Sequence, residues 1–229
     1  DTALEACRLA LKYMVPVMLL SDGYIASGSE PWRLPKVEDL PDLQPRIQRD
    51  PEGFAPYRRD EATLARPWAL PGTPGLEHRV GGLEKDDGSG NVSYDPENHA
   101  KMTRLRAEKV ARIAQDIPPV AVNGNARGKL LVLGWGSTEG AIMGAVLAAR
   151  RKGLTVSSAH LRHLNPLPAD LGEVLESFEH VLLPELNSGQ LAMVLQAKYL
   201  KRIDSHPKVD GRPFSRDEIL SRIEQILEA

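Results

Sequence analysis

Two short stretches carry the residues whose types and spacing could bind an anion. The first reads GWGST at positions 134–138 and follows the apolar run LLVL. Glycines and hydroxyl side chains at the start of a helix are components of an anion site. However, Glu139 replaces the third glycine of G-x-G-x-x-G, and its carboxylate would repel a phosphate. The stretch therefore favours a sharp structural turn, with Ser137 or Thr138 capping the next helix, over a dinucleotide site.

The second stretch reads PELNSGQ at positions 184–190 and ends another apolar run. In a doubly wound sheet the first strand commonly lies between the second and the third, so both stretches would border one crevice at the carboxyl ends of the strands. A different interpretation is that Asn187 or Ser188 only caps the helix that follows. The candidate residues of the crevice are Gly134, Gly136, Ser137, Thr138, Glu185 and Asn187.

Other common centres have little support in the sequence. Cys7 is the single cysteine, which excludes an internal disulfide and a cysteine-based metal site. His78 and His99 match no ligand spacing such as HExxH, so we predict exposed loop histidines and no metal. Asp22 follows an apolar run at residues 15–20, where it could contact a ligand or, in the preferred interpretation, cap a turn. Since no Ser–His–Asp arrangement is present, the residues alone reveal no catalytic set.

The elements that would position these stretches are predicted by alternating segments in residues 129–229. Short links between apolar runs and helical patterns are typical of a doubly wound parallel α/β sheet. A capping box at residues 215–218 precedes an amphipathic last helix. The predicted strands are 130–133, 155–161, 180–183 and 202–205, and the predicted helices before the last are 139–152, 170–177 and 188–200.

The first part of the chain has a different character. A predicted helix at residues 1–12 and a predicted buried strand at residues 15–20 open it without a Met, so we expect a C-terminal portion of something longer. Residues 30–74 hold half of the chain's 18 prolines, which disfavours helices and central strands. Because Trp32 and Trp68 argue against disorder, we predict an extended arm packed over a surface, such as that of a partner subunit. The alternative is a flexible interdomain linker.

The charged residues form one basic helix, whereas the charge of the whole chain is nearly balanced. The predicted helix at residues 99–115 carries five Lys or Arg residues against Glu108. It could hold phosphates or an acidic partner, although such a helix is more often a solvated face. The whole chain has 29 Lys and Arg against 31 Asp and Glu, so its balance gives no case for nucleic acid. No stretch reaches transmembrane length, and we expect no membrane association and a cytoplasmic location.

Seven short motifs occur in order over nearly the whole chain. They read PVMLLSD (16–22), PGTPGLEH (71–78), GGLE (81–84) with His99, Arg106 and Lys109, GWGST (134–138), NPLP (165–168), PELNSGQ (184–190) and KVDGRPF (208–214). In this order and spacing they resemble the C-terminal part of the alpha subunit of 2-oxoacid:ferredoxin oxidoreductases, most closely the 2-oxoglutarate type. Each motif is weak by itself, and their combination carries the resemblance.

The resemblance implies an activity and a set of partners. The implied enzyme decarboxylates a 2-oxoacid oxidatively with thiamine diphosphate, forms CO2 and an acyl-CoA, and passes electrons to ferredoxin. It implies Mg2+ with the diphosphate and a [4Fe–4S] cluster on a beta subunit, with none of these bound by this chain alone. Contact with CoA and ferredoxin would come through the complex, which we expect to be a dimer of heterodimers.

The resemblance also implies a domain plan. Residues 1–29 would end a truncated pyrimidine-binding α/β domain, residues 30–128 would be arm, loops and basic helix, and residues 129–229 a transketolase C-terminal-like domain. The last domain's family role is assembly and support of the active-site cleft, so we assign no catalytic residue and expect the isolated chain to be inactive. The alternative is a nucleotide-binding or regulatory α/β module. The candidate interface residues are Trp32, Trp68 and His78.

Overall fold

Two compact units make up the computed structural model, which describes residues 1–29 and 31–228. No helix in this described part of the chain is long and apolar enough to cross a membrane. Unit one comprises residues 1–19 and 31–116, and unit two comprises residues 20–29 and 117–228. The domain boundaries predicted after residues 29 and 128 stay a prediction.

The helices and strands follow one another as α1 (Thr2–Tyr13), α2 (Gly23–Ala26), β1 (Ile47–Gln48), β2 (Trp68–Ala69), α3 (Pro96–Arg112), β3 (Val122–Asn123), β4 (Gly128–Trp135), α4 (Glu139–Arg151), β5 (Ser157–Leu161), α5 (Leu171–Glu176), β6 (Phe178–Glu185), α6 (Gln190–Tyr199), β7 (Asp204–Pro207) and α7 (Arg216–Glu228). In unit two, the predicted strands and helices are present, and their ends are displaced by at most two residues. Such displacement is ordinary, because element ends depend on local capping and not on the apolar pattern.

Unit two is built on a five-stranded sheet with the order β3-β5-β4-β6-β7. Its four longer strands are parallel, and β3 pairs antiparallel with β5 at one edge. Because β4 lies between β5 and β6, the strand order matches the one predicted from common doubly wound folds. The predicted α/β doubly wound class is confirmed, and the carboxyl ends of β4 and β6 are neighbours.

The side chains of β4 alternate between two hydrophobic cores, one on each face of the sheet. Leu130 and Val132 pack with residues of α4 and α7, whereas Leu131 and Leu133 pack with residues of α5 and α6. None of the four is more than 1% exposed. Because both faces are buried, the strand reads as a continuous apolar run and not as an alternating pattern.

The predicted capping box starts the last helix. The Ser215 amide donates to the Glu218 carboxylate at 2.7 Å, and the Glu218 amide donates to the Ser215 hydroxyl at 3.3 Å. These reciprocal bonds satisfy donors that the first helical turn leaves open. The capping box is therefore confirmed.

Unit one contains α1, α3 and the arm. The Asp95 carboxylate accepts the amides of Glu97 and Asn98 at 3.2 and 3.1 Å, and Pro96 occupies the first helical position. This cap explains why α3 begins three residues before the predicted start at His99. Residues 31–74 are mostly irregular with several turns, a 3-10 turn at Val37–Asp39 and a parallel pair of two-residue strands, β1 and β2.

The strand predicted at residues 15–20 is wrong. The structure assigns no strand there, and α1 ends at Met14 in the left-handed conformation, with φ 48°. Met18 is 82% exposed and Leu20 is 67% exposed. A strand is held by hydrogen bonds to a neighbouring strand, and no strand of the described residues pairs with this segment.

Candidate functional site

Glu185 is the last residue of β6 and the best-satisfied polar group of the predicted crevice. Its carboxylate is fully buried and accepts the amides of Leu191 and Ala192, each at 3.0 Å. These amides belong to the first turn of α6, where a helix offers unpaired donors and a partial positive charge. The place where an anionic ligand would bind is therefore occupied by a carboxylate of the chain itself.

Asn187 completes the start of α6. Its side-chain oxygen accepts the amides of Gly189 and Gln190 at 2.7 and 3.1 Å, and its side-chain nitrogen donates to Glu185 at 3.3 Å. A polar side chain that accepts from the first amides of a helix is an N-terminal cap. The N-cap position itself is Gly189, which makes no side-chain cap bond, so Asn187 stabilises the start of α6 from two residues earlier. A ligand-binding role of Asn187 stays a prediction.

Trp135 connects the two predicted stretches. The indole nitrogen of Trp135 donates to the Glu185 carboxylate at 3.4 Å, so the carboxyl ends of β4 and β6 do meet. The Thr138 hydroxyl accepts the Trp135 amide at 3.2 Å and donates to the Trp135 carbonyl oxygen at 2.8 Å. Neither Ser137 nor Thr138 makes the predicted side-chain cap of α4, because Thr138 closes the preceding turn instead.

Local structure explains why residues 134 and 136 are glycines. A Cβ atom at Gly134 would lie 2.4 Å from the end of the Ile142 side chain and 3.0 Å from the Thr138 hydroxyl. Gly136 has φ 60°, which glycine adopts without strain. Packing and turn geometry therefore account for both residues without a ligand.

One polar atom at this edge, His160 Nδ1, is buried without a hydrogen-bond partner among the described residues. Ser137 interacts with the Asp22 carboxylate. His160 lies on β5 opposite Gly134, and burial is the main cause that lowers its pKa. Sequence analysis did not single out His160, because its position opposite Gly134 is set by strand pairing. On the same unit, the Asp22 carboxylate accepts the Ile25 amide at 3.0 Å and caps α2, as the preferred interpretation predicts.

The three candidate interface residues lie in unit one and differ in exposure. Trp68 is half-buried, and its indole nitrogen donates to the Leu11 carbonyl oxygen of α1 at 2.9 Å. His78 is also half-buried, contacts the Leu76 carbonyl oxygen at 2.8 Å and packs edge-on against Phe54. Trp32 is 70% exposed. A role of these residues in binding a partner stays a prediction, and Trp32 has the surface best suited to it.

A cavity of about 460 Å³ in unit one was not predicted from the sequence. We call it the cationic pocket, because its charged lining residues are Arg59, Arg66, Lys85, Arg106, Lys109 and a single acid, Glu84. Arg106 and Lys109 come from the basic helix that the sequence analysis singled out. Arg59 and Arg66 come from the arm. The positively charged residues in this proline-rich segment were the sequence signal that could have indicated this part of the pocket.

The described residues can be compared with the ligand sets that metal ions and iron–sulfur clusters need. Within residues 1–29 and 31–228, no group of three His, Cys, Asp or Glu side chains could hold a metal ion. An iron–sulfur cluster is bound mainly by cysteine thiolates, and Cys7 is one residue. The single cysteine therefore does not fit a [4Fe–4S] cluster held by four cysteines.

Comparisons with known proteins define the class. Residues 1–95 match the family model described as pyruvate flavodoxin/ferredoxin oxidoreductase, thiamine diphosphate-binding. The chain is 54% identical, over 96% of its length, to the 2-oxoglutarate oxidoreductase subunit KorA of Mycobacterium tuberculosis. It is 30% identical, over 99% of its length, to subunit alpha of 2-oxoacid:ferredoxin oxidoreductase 2 of Aeropyrum pernix. It spans 33% and 36% of the lengths of these relatives.

A solved structure agrees with these relatives. The 2-oxoglutarate:ferredoxin oxidoreductase from Magnetococcus marinus, with 2-oxoglutarate, coenzyme A and succinyl-CoA bound, matches 96% of this chain and 39% of its own with a TM-score of 0.89 and 29% identity. The chain is thus similar, nearly throughout, to part of a 2-oxoacid:ferredoxin oxidoreductase subunit. Within this class, the similarity extends to 2-oxoglutarate enzymes, which confirms the resemblance predicted from the motifs.

Proposed function

We propose that the chain is a C-terminal portion of the alpha subunit of a 2-oxoglutarate:ferredoxin oxidoreductase. The complex would convert 2-oxoglutarate and CoA to succinyl-CoA and CO2 and reduce ferredoxin. The observation that carries the proposal is the 54% identity to the KorA subunit over 96% of the chain. A cytoplasmic location and an assembly of two alpha and two beta subunits are parts of the same proposal.

The role proposed for this portion is structural support and assembly. The cofactors of the complex would be thiamine diphosphate with Mg2+ and a [4Fe–4S] cluster. The chain has one cysteine, so we assign the cluster to the beta subunit. We assign no catalytic step to this chain, because the resemblance implies a supporting role for this portion. The doubly wound unit, with a closely packed apolar core on each face of its sheet, suits a rigid support.

We place the alternative function, a nucleotide-binding or regulatory module, second. In open α/β sheets, such ligands bind at the carboxyl ends of neighbouring strands. Here the buried Glu185 carboxylate accepts the α6 amides that a phosphate would need. A second carboxylate from Glu139 lies in the first turn of α4. Both charges oppose a nucleotide at the crevice.

The test is an activity measurement on the assembled complex and on the chain alone. A complex of the beta subunit with a full alpha subunit that includes this chain should reduce a viologen dye only when 2-oxoglutarate and CoA are both present. The isolated 229-residue chain should give no such reduction, because it lacks the cluster ligands. Activity with pyruvate but not with 2-oxoglutarate would refute the proposed substrate. Activity of the chain alone would refute the proposed structural role.

A further inference from the structure

The cationic pocket holds more positive charge than its surroundings compensate. Arg106 forms a two-pronged pair with Glu84, at 3.0 and 3.3 Å, and His99 contacts the same carboxylate at 2.9 Å. Glu84, the one acid that lines the pocket, is therefore already paired and does not neutralise the other cations. Among the described residues, Arg59, Arg66, Lys85 and Lys109 have no carboxylate within ion-pair distance.

These four cations contact backbone carbonyl oxygens or an aromatic ring, which do not neutralise their charge. Lys85 is 3% exposed and donates to the carbonyl oxygens of Gly81 and Leu83 at 2.6 and 2.5 Å. Lys109 is 9% exposed and donates to the Met14 carbonyl oxygen at 3.1 Å. Arg66 stacks over the Tyr57 ring at 4.5 Å. Carbonyl and ring contacts leave the net charge in place, and burying such charge is costly.

Arg59 has an unused donor. One of its terminal nitrogens donates to the Leu64 carbonyl oxygen at 3.1 Å, and the other lies 3.9 Å from the Met102 sulfur. Its Nε is buried and has no partner among the described residues. An unpaired buried donor in a cluster of like charges indicates a missing anionic acceptor.

The cations of the pocket also repel one another. Burial is the main cause that lowers the pKa of Arg59, and Arg66 adds to the effect, although Asp87 opposes it. Burial and then Arg59 and Arg66 lower the pKa of Lys109 to about 8. An anion placed among these side chains would reverse this unfavourable electrostatic balance.

We propose that the cationic pocket binds the phosphate groups of a small phosphorylated compound. A phosphate monoester carries nearly two negative charges, and a diphosphate carries more, whereas a carboxylate carries one. Guanidinium groups hold phosphate oxygens in pairs, and lysine adds a point charge. The Tyr57 ring with the Met14 and Met102 side chains gives the pocket an apolar wall, and its volume lies in the range of small-molecule sites.

CoA, thiamine diphosphate and inorganic pyrophosphate all carry phosphate groups and are the candidate ligands.

The proposal stands on the pocket alone and does not require the proposed oxidoreductase activity. It is tested by calorimetric titration of the full chain at low ionic strength with pyrophosphate, CoA and thiamine diphosphate, without Mg2+. A tighter constant for CoA or for thiamine diphosphate identifies the source, and 2-oxoglutarate serves as the carboxylate comparison.

Two pocket variants and one matched control decide the location. Lys109→Met and Arg66→Gln each remove one pocket charge and should weaken pyrophosphate binding by about tenfold or more, the effect of a lost charge-assisted contact. Lys101→Met removes the same kind of charge from the same helix. Because Lys101 is not part of the pocket lining and pairs with Asp87 at 2.6 Å, this variant should bind like the original chain.

Several outcomes would overturn the proposal. They are no saturable binding of any phosphate compound at millimolar concentration, equal binding by the pocket variants and the original chain, or tighter binding of 2-oxoglutarate than of every phosphate compound. Far-ultraviolet circular dichroism of each variant shows whether it folds. If Lys109→Met fails to fold, Arg66→Gln carries the test, because the Arg66 side chain is only half-buried. Since turnover is not measured, an inactive enzyme would leave this result unaffected.

Discussion

Lys109 is less exposed to solvent than the other basic residues of α3. It is 9% exposed, whereas Lys101 on the same helix reaches Asp87 with a side chain that is 54% exposed. Burial and two nearby arginines lower the pKa of Lys109 from 10.5 to about 8. The folded chain therefore loses this proton at a lower pH than the unfolded chain does, which links the residue to stability.

The first prediction concerns that link. Between pH 8 and 10.5 the unfolded chain holds the Lys109 proton and the folded chain does not, so the free energy of unfolding gains a contribution that grows with pH. Relative to Lys109→Met, the original chain should become more stable by about 1–3 kcal/mol from pH 7 to pH 10. Urea unfolding of both chains at the two pH values measures the change, and other titrating groups cancel in the difference.

The control for this prediction is Lys101→Met, whose pH dependence should follow that of the original chain. A constant difference between Lys109→Met and the original chain at both pH values would show that Lys109 keeps its ordinary pKa. The cationic pocket would then be wetter than the burial of Lys109 indicates.

At the scale of elements, β4 is the strand from which the second unit is organised. It pairs with β5 on one side and β6 on the other, and its side chains enter both cores. A residue buried in such a strand has neighbours that can relax only partly when it is shortened.

The second prediction follows from this burial. Leu133→Ala should lower the free energy of unfolding by about 2–5 kcal/mol, because Leu133 is 0% exposed and leaves a cavity among α5 and α6 residues. Leu147→Ala makes the same chemical change on α4, where Leu147 is 47% exposed, and should change stability by less than about 0.5 kcal/mol. Urea melts compare the two. Similar losses in both variants would contradict the burial.

The sequence predicted the second unit well, because its signals are local and redundant. Apolar runs, prolines and caps mark its strands and helices, and the order of β4, β5 and β6 follows a common topology. The same reasoning failed at residues 15–20, since a run of apolar residues becomes a strand only beside a partner. It left two interpretations of Glu185 and Asn187 open, because the sequence does not say which amides a carboxylate will reach.

The cationic pocket shows the other limit of such prediction. Its residues come from α1, the arm, the loop at residues 81–85 and α3, so they are far apart in sequence. Only folding brings Arg59 of the arm near Lys109 of α3. Composition cannot reveal this, since the net charge of the whole chain is −2.

At the scale of the whole molecule, the arm presents two tryptophans in different settings. Trp68 is anchored to α1 of its own chain, whereas Trp32 is 70% exposed, beside Leu34 at 78% and Val37 at 82%. Exposed aromatic residues are common anchors of protein interfaces. The arm can therefore serve two purposes, one within the chain and one toward a partner.

The third prediction separates these purposes. Trp68→Ala should lower the stability of unit one, because it removes the hydrogen bond to Leu11 and a half-buried ring. Trp32→Ala should leave that stability unchanged and weaken association with the beta subunit by about 2 kcal/mol or more, the level of an interface hot spot. Limited proteolysis reports the first effect, and a dissociation constant the second. Unchanged association in Trp32→Ala, with rapid cleavage of the arm inside the complex, would mean that the arm is a linker.

The buried Glu185 has a consequence for what the crevice can bind. Its carboxylate is a ligand tethered to its own receptor, held at an effective concentration far above that of any free metabolite. A dissolved anion must compete with it and also break two amide contacts of 3.0 Å. The edge of the sheet that serves many related architectures as a docking place is thus permanently saturated here. A fold of this kind can therefore keep its shape while its own side chain fills the place where a ligand would bind.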